Sequence, residues 1–256
     1  MADIKIAVIN ASQTLTDQAV AAAVPALQKQ VTRDVAPVWG VPADLLFVGT
    51  GKKPPAGYWW LAVLDNSDEA GALGYHDMTP DGLPLGKVFA GTDKLFGLSW
   101  TCTASHELLE MLVDPAINLT AFVETEFDQN ENTVTRAYAY EVCDPCEADA
   151  DGYKIDGVLV SDFVYPAWFE PFRKKGSTKF DQRGLLKEPF SLRPGGYMSV
   201  YDVSSGSGWQ QLDAPGERKY SSRAHVGSRR ERRRTPRIQW LWSERRVGAV
   251  RATEVA

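Results

Sequence analysis

The chain has 256 residues, 44% of them hydrophobic and 24% charged, an ordinary globular composition that excludes a collagen-like, low-complexity or wholly disordered chain. No apolar run reaches the roughly 18 residues that span a bilayer, and the three cysteines, Cys102, Cys143 and Cys146, are too few for a fold built on disulfides. The net charge of -5 conceals a split: residues 216–251 carry 12 Lys or Arg against 3 acids, leaving 16 basic and 30 acidic residues elsewhere, so an acidic body is joined to a basic tail.

The opening MADIKIAVIN lacks the basic, apolar and small-residue zones of a signal peptide, so the expected location is the cytoplasm. Residues 4–9 alternate into a β-branched apolar run and read as a strand. Thr14 or Thr16 can cap a helix over residues 17–35 whose apolar positions recur every three or four residues, with Pro25 able to kink it. Residues 45–48 and 58–64 read as strands separated by a Gly/Pro-rich turn. The Gly-, Pro- and Asp-rich stretch 71–90 reads as a loop holding Tyr75-His76-Asp77. It feeds a strand over residues 82–89 whose glycine and proline suit a sheet edge, able to pair with an extended peptide.

Residues 98–113 read as a loop and helix stopped by Asp114-Pro115. Residues 134–142 alternate like a strand, and residues 153–165 read as a hairpin turning at Asp156-Gly157. Residues 166–196 are expected to be irregular and packed by Trp168, Phe169 and Phe172, with a last strand over 197–203. From Ser204 the chain turns Gly/Ser-rich and then arginine-rich. This divides it into a folded domain, residues 1–203, and a flexible linker and basic tail, residues 204–256.

The chemistry concentrates in His106-Glu107-Leu108-Leu109-Glu110. Residues four apart on a helix share a face, so His106 and Glu110 can offer an imidazole nitrogen and a carboxylate oxygen to one ion, with Glu107 beside it. That is the arrangement of the His-Glu-x-x-His metalloproteases, with a carboxylate in place of the second imidazole and the middle Glu as general base for a metal-bound water. The apolar neighbours Leu108, Leu109, Met111, Leu112 and Val113 bury the segment, and buried acids need partners or a metal. The plainer alternative is a surface turn with an intrahelical His106–Glu110 contact. Asp114, Glu141 and Asp144 are candidates for a third ligand, in the order Glu141, then Asp144, with Asp114 equally suited to stopping the helix.

The strand-helix-strand-strand opening followed by a His-Glu-x-x helix resembles the catalytic core of zincin metallopeptidases. The segment Ser-His-Glu-x-x-Glu-x-x-x-Asp-Pro, residues 105–115, followed by Glu-x-x-Asp-x-Cys, residues 141–146, is similar to the motif pair of Exordium-type, phosphate-induced proteins. The resemblance implies an α/β (α+β) zincin-like domain with a mixed sheet, an active-site helix and a peptide-binding edge strand. It also implies one divalent metal, zinc first, held by His106, Glu110 and the Glu141/Asp144 turn, and a peptide or protein substrate. The lack of a second motif histidine departs from well-characterised proteases.

Other residues carry weaker signals. His76 can line the cleft or polarise a substrate carbonyl, although an exposed loop histidine is the commoner case. Tyr75 and Tyr165 can offer a hydroxyl to an oxyanion or simply pack. Cys143 and Cys146 have zinc-site spacing without a second pair, which favours a structural role or a thiol cluster with Cys102. The basic tail can meet an anionic partner, with no specific nucleic acid expected. Two rival functions follow: a zincin-like module that binds metal without turnover, and a phage- or secretion-associated interaction protein working through its arginine tail.

Overall fold

Ile6, Ala7 and Val8 are fully buried in β1 (Ile4–Asn10), as expected of a strand covered on both faces. In the computed structural model, which describes residues 4–69, 72–79, 81–127, 133–203 and 208–214, β1 pairs in parallel with β2 (Ala43–Val48) and β3 (Trp59–Leu64). β3 pairs in parallel with β5 (Pro84–Phe89), and β4 (Gly74–Met78) closes the sheet as an antiparallel strand, giving the order β2-β1-β3-β5-β4. The architecture is mixed α+β, with several sheets and a few helices.

The edge therefore lies one strand away from its expected place. Residues 82–89 were expected to form it, yet β5 is interior and β4, expected as loop, is the end strand. Pro84 is tolerated because it opens β5, and Gly86 answers a steric demand of packing rather than marking an exposed edge. A Cβ at Gly86 would lie 2.8 Å from Leu61 Cδ1 and 3.6 Å from Glu107 Cβ.

Thr16 caps α1 (Asp17–Lys29) by accepting a hydrogen bond from the Ala19 N–H. Pro25 stays within regular helix, and the irregularity comes later, where the chain widens into a π-helical stretch at Gln30–Val35 before α2 (Ala36–Trp39). The wide turn coincides with buried Gln30, whose amide donates to Ser161 O and Tyr153 OH and accepts from Ser105 Oγ. α3 (Ala90–Phe96) ends at Gly97 in the left-handed region, and α4 (Trp100–Val113) follows. α4 packs on β4, β5 and β9 (Val158–Val160), so it is covered on most sides.

A second sheet has the order β11-β10-β7-β6, from β6 (Thr120–Phe127), β7 (Thr133–Ala139), β10 (Tyr197–Asp202) and β11 (Trp209–Asp213). β6 had not been expected. β11 falls beyond residue 203, so the folded part extends past the expected boundary. Its pairing with β10 covers an edge that would otherwise be exposed. β8 (Tyr153–Ile155) and β9 form the expected hairpin, with Asp156 at φ 50 and Gly157 at φ 88.

Trp168 and Phe169 are buried as expected, but Phe172 is 73% exposed, and Phe163 and Phe180 fill the core instead. The arginine run at 229–234 lies outside the described residues. Among the described residues no helix is long and apolar enough to cross a membrane.

Candidate metal centre

Three segments converge on one face of α4. The helix supplies His106, Glu107 and Glu110, with His106 Nε2 3.3 Å from Glu110 Oε1 across one turn. The turn after β7 supplies Asp144, whose Oδ1 lies 3.2 Å from His106 Nε2. This turn is firmly held: Cys143 N donates to Glu110 Oε1, Arg193 N donates to Pro145 O, and the bare backbone of Gly196 packs against Pro145.

The third segment is β4. Neighbouring residues on a strand face opposite ways, and Tyr75 and His76 do so here. The Tyr75 hydroxyl meets Asp68 and Lys87, and its ring packs on Phe89. His76, only 3% exposed, turns toward α4. Its Nδ1 lies 3.6 Å from Glu107 Oε2 and 3.5 Å from Glu110 Oε2, and its Nε2 lies 3.7 Å from Glu141 Oε2. Room for Glu107 comes from missing side chains: a Cβ at Gly74 would sit 2.7 Å from Glu107 Oε1.

Two overlapping sets result, His106/Glu110/Asp144 and His76/Glu107/Glu110, each with ligand atoms within 4.8 Å of one another. Atoms bound at about 2.1 Å in tetrahedral arrangement around zinc stand about 3.4 Å apart. The histidine-to-carboxylate separations within the two sets, between 3.2 and 3.6 Å, match that spacing. The donor set fits a divalent cation.

Electrostatics agree with the geometry. Burial pushes the Glu110 carboxyl up to about 7, with Asp144 and Glu141 adding to the rise and His106 opposing it. For His106 burial favours the neutral ring, but Glu110, Asp144 and Glu107 outweigh it and hold the group well above its ordinary value. His76 is likewise raised, burial being overcome by Glu107, Glu141 and Glu110. Without a cation, the cluster compensates its negative charge with protons.

No family model, curated protein or solved structure matches the chain. Geometry and chemistry alone must assign the site.

Of the expected site residues, His106, Glu107, Glu110, Asp144 and Glu141 come together, and His76 joins them. Asp144, rather than the favoured Glu141, faces His106; Glu141 faces His76. Asp114 serves the turn after α4, where its carboxylate accepts from Asn118 N and Leu119 N. Tyr165 donates to Gln182 Oε1 at 2.6 Å. Cys143 and Cys146 are free thiols buried in the main core, and neither belongs to the ligand-spaced groups found among the described residues, which fits packing. Sequence reasoning missed the role of Gly74 and Gly86. Their signal was two glycines flanking a histidine in a stretch that precedes a buried acidic helix.

Proposed function

We propose that the chain is a metal-dependent peptidase on a zincin-like framework, with His106, Glu110 and Asp144 as ligands of one divalent ion, zinc first. The observation that carries this reading is the convergence of those three side chains, one from each end of a helical turn and one from a distant loop, at co-ligand spacing. A sheet whose end strand runs antiparallel beside the histidine-bearing helix supports it, because that order suits the zincin resemblance of the motif.

A divalent ion held there supplies Lewis acidity to a scissile carbonyl and acidifies water. Glu107, next in sequence to His106, takes the proton of the attacking water. β4, rather than residues 82–89, offers its outer backbone edge to an extended peptide. Two carboxylates and one imidazole are a hard donor set, which admits manganese or iron alongside zinc.

Elemental analysis of untagged protein, compared with His106→Ala, tests the ligand set: metal present in the parent and lowered by one equivalent in the variant is expected. Glu107→Gln should abolish cleavage of a generic peptide mixture while the His106-bound ion stays. Metal without any cleavage in the parent would leave a binding module instead of a peptidase.

A further inference from the structure

Glu110 divides its carboxylate between two histidines. Oε1 faces His106, and Oε2 faces His76 Nδ1. A single ion at His106, Glu110 Oε1 and Asp144 uses only half of this arrangement. The other half is a set of His76 Nδ1, Glu107 Oε2 and Glu110 Oε2, all buried and mutually within ligand distance.

The surroundings of His76 are those of a metal-bound imidazole. A ligating histidine commonly directs its second ring nitrogen to a carboxylate, which fixes tautomer and orientation. Here Nδ1 faces the ligand-type oxygens, while Nε2 faces Glu141 Oε2. Glu141, expected to bind the first ion, takes the orienting position instead. The backbone is also shaped for it, since glycine at 74 leaves room for the Glu107 carboxyl against β4 beside His76.

Charge points the same way. Glu107, Glu110, Glu141 and Asp144 bring four negative charges to largely buried positions. With all four carboxylates ionised and both imidazoles neutral as ligands, one dication leaves two formal negative charges for protons to compensate and a pair leaves none.

We infer that the centre is binuclear: a second divalent cation binds His76, Glu107 and Glu110, with Glu110 bridging it to the ion held by His106 and Asp144. The inference rests on the metal-centre reading above and revises one role in it: with two ions bound, Glu107 is a ligand rather than the base. Bridged pairs of this kind lie about 3.5–4 Å apart and clamp a hydrolytic substrate from two sides.

The test is titration of the metal-stripped full chain with Mn(II), counting bound ions at equilibrium and recording the electron paramagnetic resonance spectrum. The parent should take up two equivalents and show exchange coupling. His76→Ala and Glu107→Gln should each retain one equivalent, bound at His106, and lose the coupling. One equivalent in the parent, whether His76→Ala keeps it or loses it, overturns the binuclear centre and leaves a single-ion site. No binding overturns both readings. Should His76→Ala fail to fold, a parent spectrum of magnetically isolated ions still overturns the inference.

Discussion

His76 and Glu110 reach the same point from different layers of the molecule, Nδ1 on the end strand lying 3.5 Å from Oε2 on the central helix. This relationship makes α4 more than a motif carrier. The cluster ties β4, α4 and the turn after β7 together, so filling it with a cation should brace the whole molecule.

Metal should therefore stabilise the fold and release protons on binding. A ligand at about 100 times its Kd adds about 2.7 kcal/mol, which for a chain of this size is roughly 5–11 °C in Tm. Glu110, raised to about 7, and His106, also raised, must lose protons to coordinate. Affinity for zinc should therefore climb from pH 6 to pH 8. Calorimetry in buffers of differing ionisation enthalpy should register proton release, and a pH-independent affinity would contradict the ligand assignment.

Gly74→Ala should damage the site with little change at the opposite face of β4. The new Cβ would lie 2.7 Å from Glu107 Oε1 and 2.8 Å from both Glu107 Cγ and Lys87 O, so the helix or the strand must yield. Overpacking of this sort costs about 1–3 kcal/mol. Denaturant titration reads the loss, and metal affinity should fall with it. An unchanged affinity would mean that Glu107 does not need its place against β4.

The first half of the sheet was legible because its strands announce themselves: residues 4–9 and 58–64 are β-branched and aromatic runs bounded by turn residues. Asp114-Pro115 likewise marked the end of α4 correctly. β4 was obscured by Gly74, which serves the close approach of Glu107 on α4, a tertiary demand that looks locally like loop chemistry. The site split in the same way. His106 and Glu110 share a helical face that spacing reveals, whereas the choice between Glu141 and Asp144 depends on how Pro145 and Gly196 pack, which local sequence does not encode. β11 was hidden by the Gly/Ser-rich residues before it, and its place depends on β10 needing a partner.

Asp114→Ala separates turn from site. The buried carboxylate accepts from two backbone N–H groups after the helix, and stranding such donors costs about 1–3 kcal/mol. Stability should drop by that order in chemical denaturation, while bound metal per folded chain stays as in the parent. Loss of metal from a folded variant would return Asp114 to the ligand set.

Gln30 makes a comparable prediction away from the cation. Its side chain joins the π-helical stretch to α4 through Ser105 and to the β8–β9 hairpin through Tyr153 OH and Ser161 O. Gln30→Leu keeps the volume and leaves those partners stranded, so a loss of about 1–3 kcal/mol is expected. Hydrogen exchange should speed up at Ser161 N, which donates to Ser105 Oγ.

The Asp162 and Asp181 pair should give stability a pH dependence of its own. Both residues are fully buried, and burial together with the hydrogen-bonded neighbouring acid pushes Asp162 up to about 8. Unfolded, Asp162 ionises near 3.8, so between about pH 4 and pH 8 the native state keeps a proton that the unfolded state has shed. Stability must then fall as pH rises through that window and level off above it. The metal cluster titrates with the same sign, so the variant is needed to isolate the pair. Asp162→Asn preserves an acceptor for Phe163 N and Arg183 N and supplies a permanent donor toward Asp181, imitating the protonated acid. The stability difference between variant and parent, measured by urea unfolding at each pH, should widen in the variant's favour from pH 5 to pH 8. A difference that stays constant would show that Asp162 does not keep its proton in the folded state.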